Sequence, residues 1–426
     1  MKLAIKKVQV VDPYQNHQGV EDIYVDEGVF VRAEDIKDPS AFREIDGSKY
    51  LLTPGLLDAH THLREPGEEH KETIETGTLA AAHGGYTGVA PMPNTHPVCD
   101  SDVGIGYLLH KASKVASCAV YPIGAVTKGE GGEVLAEIGM MKEAGAVALS
   151  DDGRAVSTAG MMRKAMQYAA SFGLTILDHC EDETLTDSGA MNESLTSTIA
   201  GLRGIPTASE DVIVARDLIL SQYLDIPVHI CHVSTKGACE MIRFAKSRGV
   251  KVTAETTPHY IALTDEACGT FNTAYKVNPP LREEEDRQAI LAALKDGTLD
   301  MVVTDHAPHH IDDKDCEFSL AKNGISGLET AFPVTYTYLC KKEGFDLMQL
   351  VSFFTTKPAA LFHLDFPGIK AGAPADFALF NISDTYTVDA KKFVSLGHNT
   401  PFDGATLYGQ PLMTCWQGRV TYDALA

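Results

Sequence analysis

Two histidines one residue apart, His60 and His62, lie in the stretch GLLDAHTHLREPG (Gly55 to Gly67), with Arg64 two residues further on. The stretch is entered through an apolar strand, with Leu51, Leu52, Leu56 and Leu57 around a Pro-Gly break. In a strand, residues i and i+2 share a face. Both imidazoles therefore leave the strand's C-terminal tip on one side, where they can grip a single ion. An isolated HxH pair is more often two core or surface histidines, so a metal reading needs further donors in the right places.

Those donors are present. His179 lies in LDHCED, His232 in HICHVS and Asp305 in VVTDHAPHH. The adjacent acids Asp151 and Asp152 lie in LSDDGR, Asn94 in PMPNTHP and Asn278 in KVNPPLR. Each follows or ends an apolar, β-branched run. Taken singly, such a histidine is usually capped by backbone and such an aspartate usually caps the next helix. Four histidines and two acids at the same relative position on five of eight runs point instead to one shared site. Imidazole and carboxylate donors without thiolates suit Zn²⁺, with Mn²⁺, Co²⁺ or Ni²⁺ fitting less well. Six such donors exceed what one tetrahedral ion needs. They suit two ions sharing a strand-four carboxylate and a hydroxide, a nucleophile for an amide or ester carbonyl. The remaining carboxylate can then carry the proton to the leaving group.

The elements that must position these groups follow from the pattern of apolar runs. Strands are expected at 51–60, 86–92, 118–126, 146–150, 174–179, 227–232, 250–255 and 299–305, with amphipathic stretches between them. Several of those stretches close on glycine, as helices do. Eight βα units in succession match a (β/α)8 TIM-like barrel, whose chemistry sits at the strands' C-terminal ends. A doubly wound sheet is disfavoured by the regular count and by the absence of GxGxxG after the first strand. Residues 1–50 and 367–426 read as short strands and turns. They are expected to form one small composite β-sandwich, with the barrel of 51–366 inserted between them.

The chain has 426 residues, 44% hydrophobic and 22% charged, as ordinary globular proteins do. A formal charge of −22 argues against a nucleic acid or an anionic membrane as partner, but permits a small anionic substrate where arginine and metal reverse the field locally. Nine scattered cysteines without a CxxC pair fit a reducing cytoplasm. Cys180 and Cys231, beside His179 and His232, read as packing residues. The N-terminal MKLAIKKVQVVDPYQ has no signal-peptide pattern, and no window has the apolar length of a membrane span.

Together, DAHTHLREPG, PMPNT, DHC, CHVS, ETTPHY, KVNPPLR, VVTDHAPH and GLET (Gly327 to Thr330) resemble the metal-dependent amidohydrolase superfamily, and within it the bacterial class I dihydroorotases. The resemblance covers nearly the whole chain, flanking segments included. It implies reversible hydrolysis of a cyclic amide, dihydroorotate, to carbamoyl aspartate, with zinc as cofactor. It implies that His60 and His62 hold one metal, that His179 and His232 hold the other, and that Asp305 is both ligand and catalytic base. It assigns Arg64, Asn94, Asn278 and His309 to substrate, together with the backbone of Asn323 and Gly324. For Arg64 the chemistry agrees, since a guanidinium offers a planar fork to a substrate carboxylate; otherwise a salt bridge to Glu65 or Glu68 is its default. A homodimer and an aspartate transcarbamoylase partner are also implied.

The chain departs from the family pattern in two places. Many superfamily members bridge their metals with a carboxylated lysine on strand four, but AVALSDDGR has none. A subset of class I dihydroorotases is similar in carrying aspartate there; Asp152 is the matching position, and Asp151 would face away. Asn323 stands where proline or an aromatic is expected, a change that a backbone contact tolerates. His306 and His310 read as exposed loop histidines. The polar stretch IDDKDCEFSLAKNG after His310 suits a mobile lid or a plain solvated loop. Two other readings compete. One is a hydantoinase, dihydropyrimidinase or allantoinase, which Arg64 and the missing lysine disfavour. The other is a non-catalytic homologue, disfavoured because no ligand is lost.

Overall fold

The computed structural model describes residues 2–426. Five strands come first: β1 (Lys2–Asp12), β2 (His17–Asp26), β3 (Val29–Val31), β4 (Arg43–Asp46) and β5 (Tyr50–Pro54). The 51–60 run is thus two strands. Its first half, β5, pairs with β1 and not with the barrel. The break at Pro54-Gly55 explains the division: proline has no N–H to continue a ladder, and the next residue starts in a new direction.

The barrel strands follow. They are β6 (Leu56–Thr61), β7 (Tyr86–Pro91), β8 (Ala119–Val120), β9 (Ile123–Ala125) and β10 (Ala148–Ser150). Next come β11 (Ile176–Asp178), β12 (Val228–Ile230), β13 (Val252–Thr256) and β14 (Met301–Val302). Parallel pairing runs β6-β7-β8 and β9-β10-β11-β12-β13-β14. β8 and β9 are two halves of the expected third strand, interrupted at Tyr121-Pro122, with the Tyr121 N–H still bonded to the Val89 carbonyl at 2.9 Å. The ring closes between last and first strands, where Asp305 N–H donates to His60 O (3.1 Å) and His62 N–H to His306 O (2.8 Å). The fold is therefore a (β/α)8 barrel. Helices such as Ile74–His83, Ala159–Ala170 and Lys236–Ser247 cover it, each opened by a threonine that caps its first turn.

The C-terminal strands β15 (Phe377–Asn381), β16 (Gln410–Trp416) and β17 (Arg419–Asp423) return to the first sheet, in the order β17-β16-β15-β5-β1-β2-β3 with β4 also on β1. Leu3, Ile5, Val25, Phe30, Leu52, Phe377 and Leu379 pack together on its inner face. Phe30 N–H reaches Ala373 O at 3.0 Å, so the edge strand curls back onto the C-terminal segment. No helix among the described residues is long and apolar enough to cross a membrane.

Candidate active site

The ends of β6, β10, β11, β12 and β14 bring six side chains to one point. Asp152 lies at its centre. Its Oδ1 is 3.3 Å from His60 Nε2 and 3.6 Å from both His179 Nδ1 and His232 Nε2, while its Oδ2 is 3.5 Å from His62 Nε2. Asp305 Oδ1 lies 3.2 Å from His62 Nε2 and 3.6 Å from His60 Nε2. Asp151 turns the other way, accepting from Val126 N (2.8 Å), Thr127 N (3.0 Å) and Thr127 Oγ1 (2.5 Å).

These distances test the fit to a metal. Donors held about 2.1 Å from one tetrahedral ion stand roughly 3.4 Å from each other. Moreover, His60 Nε2 and Asp152 Oδ1 are buried atoms without a hydrogen-bond partner, a costly arrangement unless a cation sits between them. The residues fit a metal centre, with Asp152 Oδ1 turned to His60, His179 and His232 and its Oδ2 to His62.

Charge tells the same story. Burial alone would raise the Asp152 pKa, but the facing His60, His179 and His232 rings hold it well below the usual carboxylate range. Asp305 is likewise lowered against its burial by His62 and His60. Burial opposes charge on the histidines too, yet the facing acids raise His60 well above its ordinary value and bring His179 to about 10. The shifts are mutual: acids and imidazoles each favour the other's charged form.

Each of three ring nitrogens that face away from the centre has an acceptor. His60 Nδ1 lies 2.7 Å from Glu255 Oε1, His62 Nδ1 lies 2.9 Å from Asn94 Oδ1, and His179 Nε2 lies 3.4 Å from Glu181 Oε2. Such partners fix ring tautomer and orientation. Sequence reading passed over Glu255 and Glu181. Glu255 could have been found as a lone acid in an apolar barrel strand, and Glu181 by its place two residues after His179.

A cavity of about 170 Å³ opens above this cluster, lined by Arg64, Asn94, Asn278, Asp305, Asn323 and Gly324 among others. Arg64, with a left-handed φ of 60°, sends its side chain inward; Nε donates to Pro308 O at 3.3 Å. It also stands in a loose ion pair with Glu68 at 4.0 Å, without a hydrogen bond. Asn278 gives Nδ2 to Glu181 Oε2 at 3.1 Å, and its Oδ1 has no partner. His309 stands behind the cavity wall. Its Nε2 lies 2.8 Å from Asn323 O and its Nδ1 lies 3.2 Å from Asp313 Oδ2. Burial and the nearby Arg64 and Lys314 charges lower its pKa to about 3, so this neutral ring has a single N–H for the two acceptors. Gly324 N–H is bonded to Lys276 O at 3.0 Å.

His306 departs from expectation. It is 1% exposed, with Nε2 at 3.3 Å from Glu72 and Nδ1 accepting from Gly327 N at 3.1 Å. Strand-eight closure carries it under the loop, whereas His310 is exposed as expected.

Comparison with known proteins places the chain in a family. A family described as dihydro-orotase-like matches residues 49–238. A dihydroorotase of Acetivibrio thermocellus is 48% identical, covering 98% of each chain, and one of Ruminiclostridium cellulolyticum is 50% identical, covering 97% of each. Among solved structures, the L-hydantoinase of Arthrobacter aurescens superposes with a TM-score of 0.87 at 25% identity, covering 99% of this chain and 96% of that one. A dihydropyrimidinase of Brevibacillus agri gives 0.84 at 24% identity, covering 100% and 95%, and shares the fold. With about half of all residues identical across nearly the full length of both chains, the protein belongs to the dihydroorotase family.

Proposed function

We propose that this chain reversibly hydrolyses the ring amide of (S)-dihydroorotate to N-carbamoyl-L-aspartate, the third step of de novo pyrimidine synthesis. Its relatives' name supports the substrate. The observation that carries the reading is one cavity walled by a cation, an unpartnered acceptor and a buried carboxylate: Arg64, Asn278 Oδ1 and Asp305. His60, His62, His179, His232, Asp152 and Asp305 would hold the metal, two Zn²⁺ per subunit. Bound there, it would supply an acidified water and polarise the ring carbonyl.

The chain's own groups do the rest. Arg64 receives the substrate carboxylate, and the buried guanidinium gains strength from the low dielectric around it. Asn278 Oδ1 accepts a ring N–H, while Asn94, bonded to His62, borders the same space. Asp305, ionised because its histidine neighbours outweigh its burial, takes a proton and returns it to the leaving nitrogen. His309 and the backbone of Asn323 and Gly324 complete the wall against the ring. The polypeptide divides into a barrel and a composite terminal unit, and it works in the cytoplasm as a homodimer able to associate with aspartate transcarbamoylase.

The test is an absorbance assay of metal-replete protein with dihydroorotate, hydantoin and allantoin in parallel. Dihydroorotate should be turned over fastest, and Arg64→Met should erase most of that preference. Faster turnover of uncharged hydantoin would replace this reading with that of another cyclic amidase.

A further inference from the structure

The loop that leaves Asp305 and returns at Ile325 carries the cavity-lining Asn323 and Gly324 on its return limb and His309, which backs Asn323, on its outward limb. Within the loop, Ala307 N–H to Ile325 O (2.9 Å) and His309 Nε2 to Asn323 O (2.8 Å) join the two limbs, and a side chain from far along the chain ties them at four further points. The carboxamide of Asn399, 9% exposed, lies between them. Its Oδ1 accepts from His309 N at 2.9 Å and from Ser326 Oγ at 3.0 Å. Its Nδ2 donates to Ala307 O at 3.2 Å and to Gly324 O at 2.9 Å. All four hydrogen-bonding positions of the amide are filled. The orientation is unambiguous, because a flipped amide would set NH₂ against a backbone N–H and oxygen against two carbonyls.

The surrounding chain is built for this close approach. A Cβ on Gly397 would lie 2.5 Å from Pro308 Cβ and 2.8 Å from His309 N, so only glycine lets the segment reach the outward limb. A Cβ on Gly324 would lie 2.6 Å from Ala307 O. Behind the segment, buried Glu72 accepts from Ser395 Oγ (2.5 Å) and Leu396 N (3.3 Å). The same carboxylate bonds His306, so the segment is anchored to the barrel strand that carries Asp305.

We propose that Asn399 is a positioning residue for substrate. Bridging the two limbs beside those intraloop bonds, it fixes the gap between the His309 backbone and Gly324, and so the fit of the wall to the ring, without touching the ring itself. This inference rests on the function proposed above. Aspartate at 399 offers only acceptors and would face two carbonyls with a negative charge. Alanine offers neither donor nor acceptor. Asp305 is held separately, through its backbone bond to His60 O, so the chemical step is insulated from the change.

The experiment compares the metal-loaded parent with Asn399→Ala and Asn399→Asp. In both variants KM for dihydroorotate should rise about tenfold or more, with kcat within about threefold and metal content unchanged. Amide exchange at His309 should quicken at least about tenfold, while the strand Val228–Ile230 stays protected. Folded variants with KM within about twofold of the parent would overturn the proposal, as would a fall in kcat at constant KM. Should neither variant fold, the parent decides: a His309 amide as protected as Val228–Ile230 supports the clamp, and one that exchanges freely overturns it. The His309 readout needs no turnover. A parent idle on dihydroorotate whose His309 amide still responds to Asn399→Ala would therefore sink the functional reading and not the positioning role.

Discussion

An imidazole has two nitrogens, and a metal site needs one of them aimed inward with the other held. For His60 the holding group is Glu255, which lies within a chain that runs inward from half-buried Thr253: Thr253 Oγ1 to His229 Nδ1 (2.8 Å), His229 Nε2 to Glu255 Oε2 (3.0 Å), and Glu255 Oε1 to His60 Nδ1 (2.7 Å). Burial would favour a neutral Glu255, but His229 and His60 hold it well below the usual carboxylate range. A carboxylate so placed makes His60 a better donor to a cation. Glu255→Gln keeps the shape and removes the charge. Its affinity for Zn²⁺, measured by competition with a coloured chelator, should fall about 10- to 100-fold. Affinity equal to that of the parent would show that Glu255 only fills space. His60, His62, His179, His232 and Asp305 were legible in sequence because each ends an apolar run. Glu255 and Asn399 were not, since their partners lie in other strands or segments and no local spacing marks them.

Among elements, the barrel strands were legible as apolar runs, but two of their limits were set by proline. Pro54 hands Tyr50–Pro54 to the terminal sheet, and Pro122 divides the third strand. The stretch after His310 has no periodicity, so its attachment could not be read: Lys314 Nζ, buried, donates to the carbonyls of Thr273, Lys276 and Lys322. The short helix Pro258–Ala262 carries its own liability. His259 in its first turn is 1% exposed, Nε2 is unbonded, and burial lowers its pKa to about 4. The helix N-terminus also disfavours a cation there. The unfolded chain takes up this proton near pH 6.5 and the folded chain only near 4. Stability contributed by the neutral ring is therefore intact above 6.5 and is lost as pH falls through the window from 6.5 to 4. At pH 5 the loss is about 2 kcal/mol. His259→Gln should show a smaller drop in Tm between pH 7 and pH 5 than the parent. Equal drops would mean that His259 is not what acid attacks.

At the scale of the whole molecule, the centre exists only because the barrel closes. Some 245 residues separate His60 from Asp305, yet one backbone bond joins them at 3.1 Å. No stretch of sequence contains that closure; only the count of eight strand–helix units implied it. Closure also concentrates charge. Asp152 and Asp305, both buried, face four imidazoles, and the acids lift His60 well above its ordinary value and His179 to about 10. At neutral pH those rings therefore carry protons whenever no other cation is there to balance the acids. A divalent metal takes over that balance, and it binds imidazole only through an unprotonated nitrogen, so loading must expel protons. Adding Zn²⁺ to chelator-treated protein in weak buffer at pH 7.5 should release at least about one proton per chain, followed with a pH indicator. The affinity should weaken steadily toward pH 6, as protons compete more strongly for the same nitrogens. Replacing His179 with asparagine removes one of the two protonated rings and should reduce the release. Stoichiometric binding without proton release would place the metal elsewhere than among these six side chains.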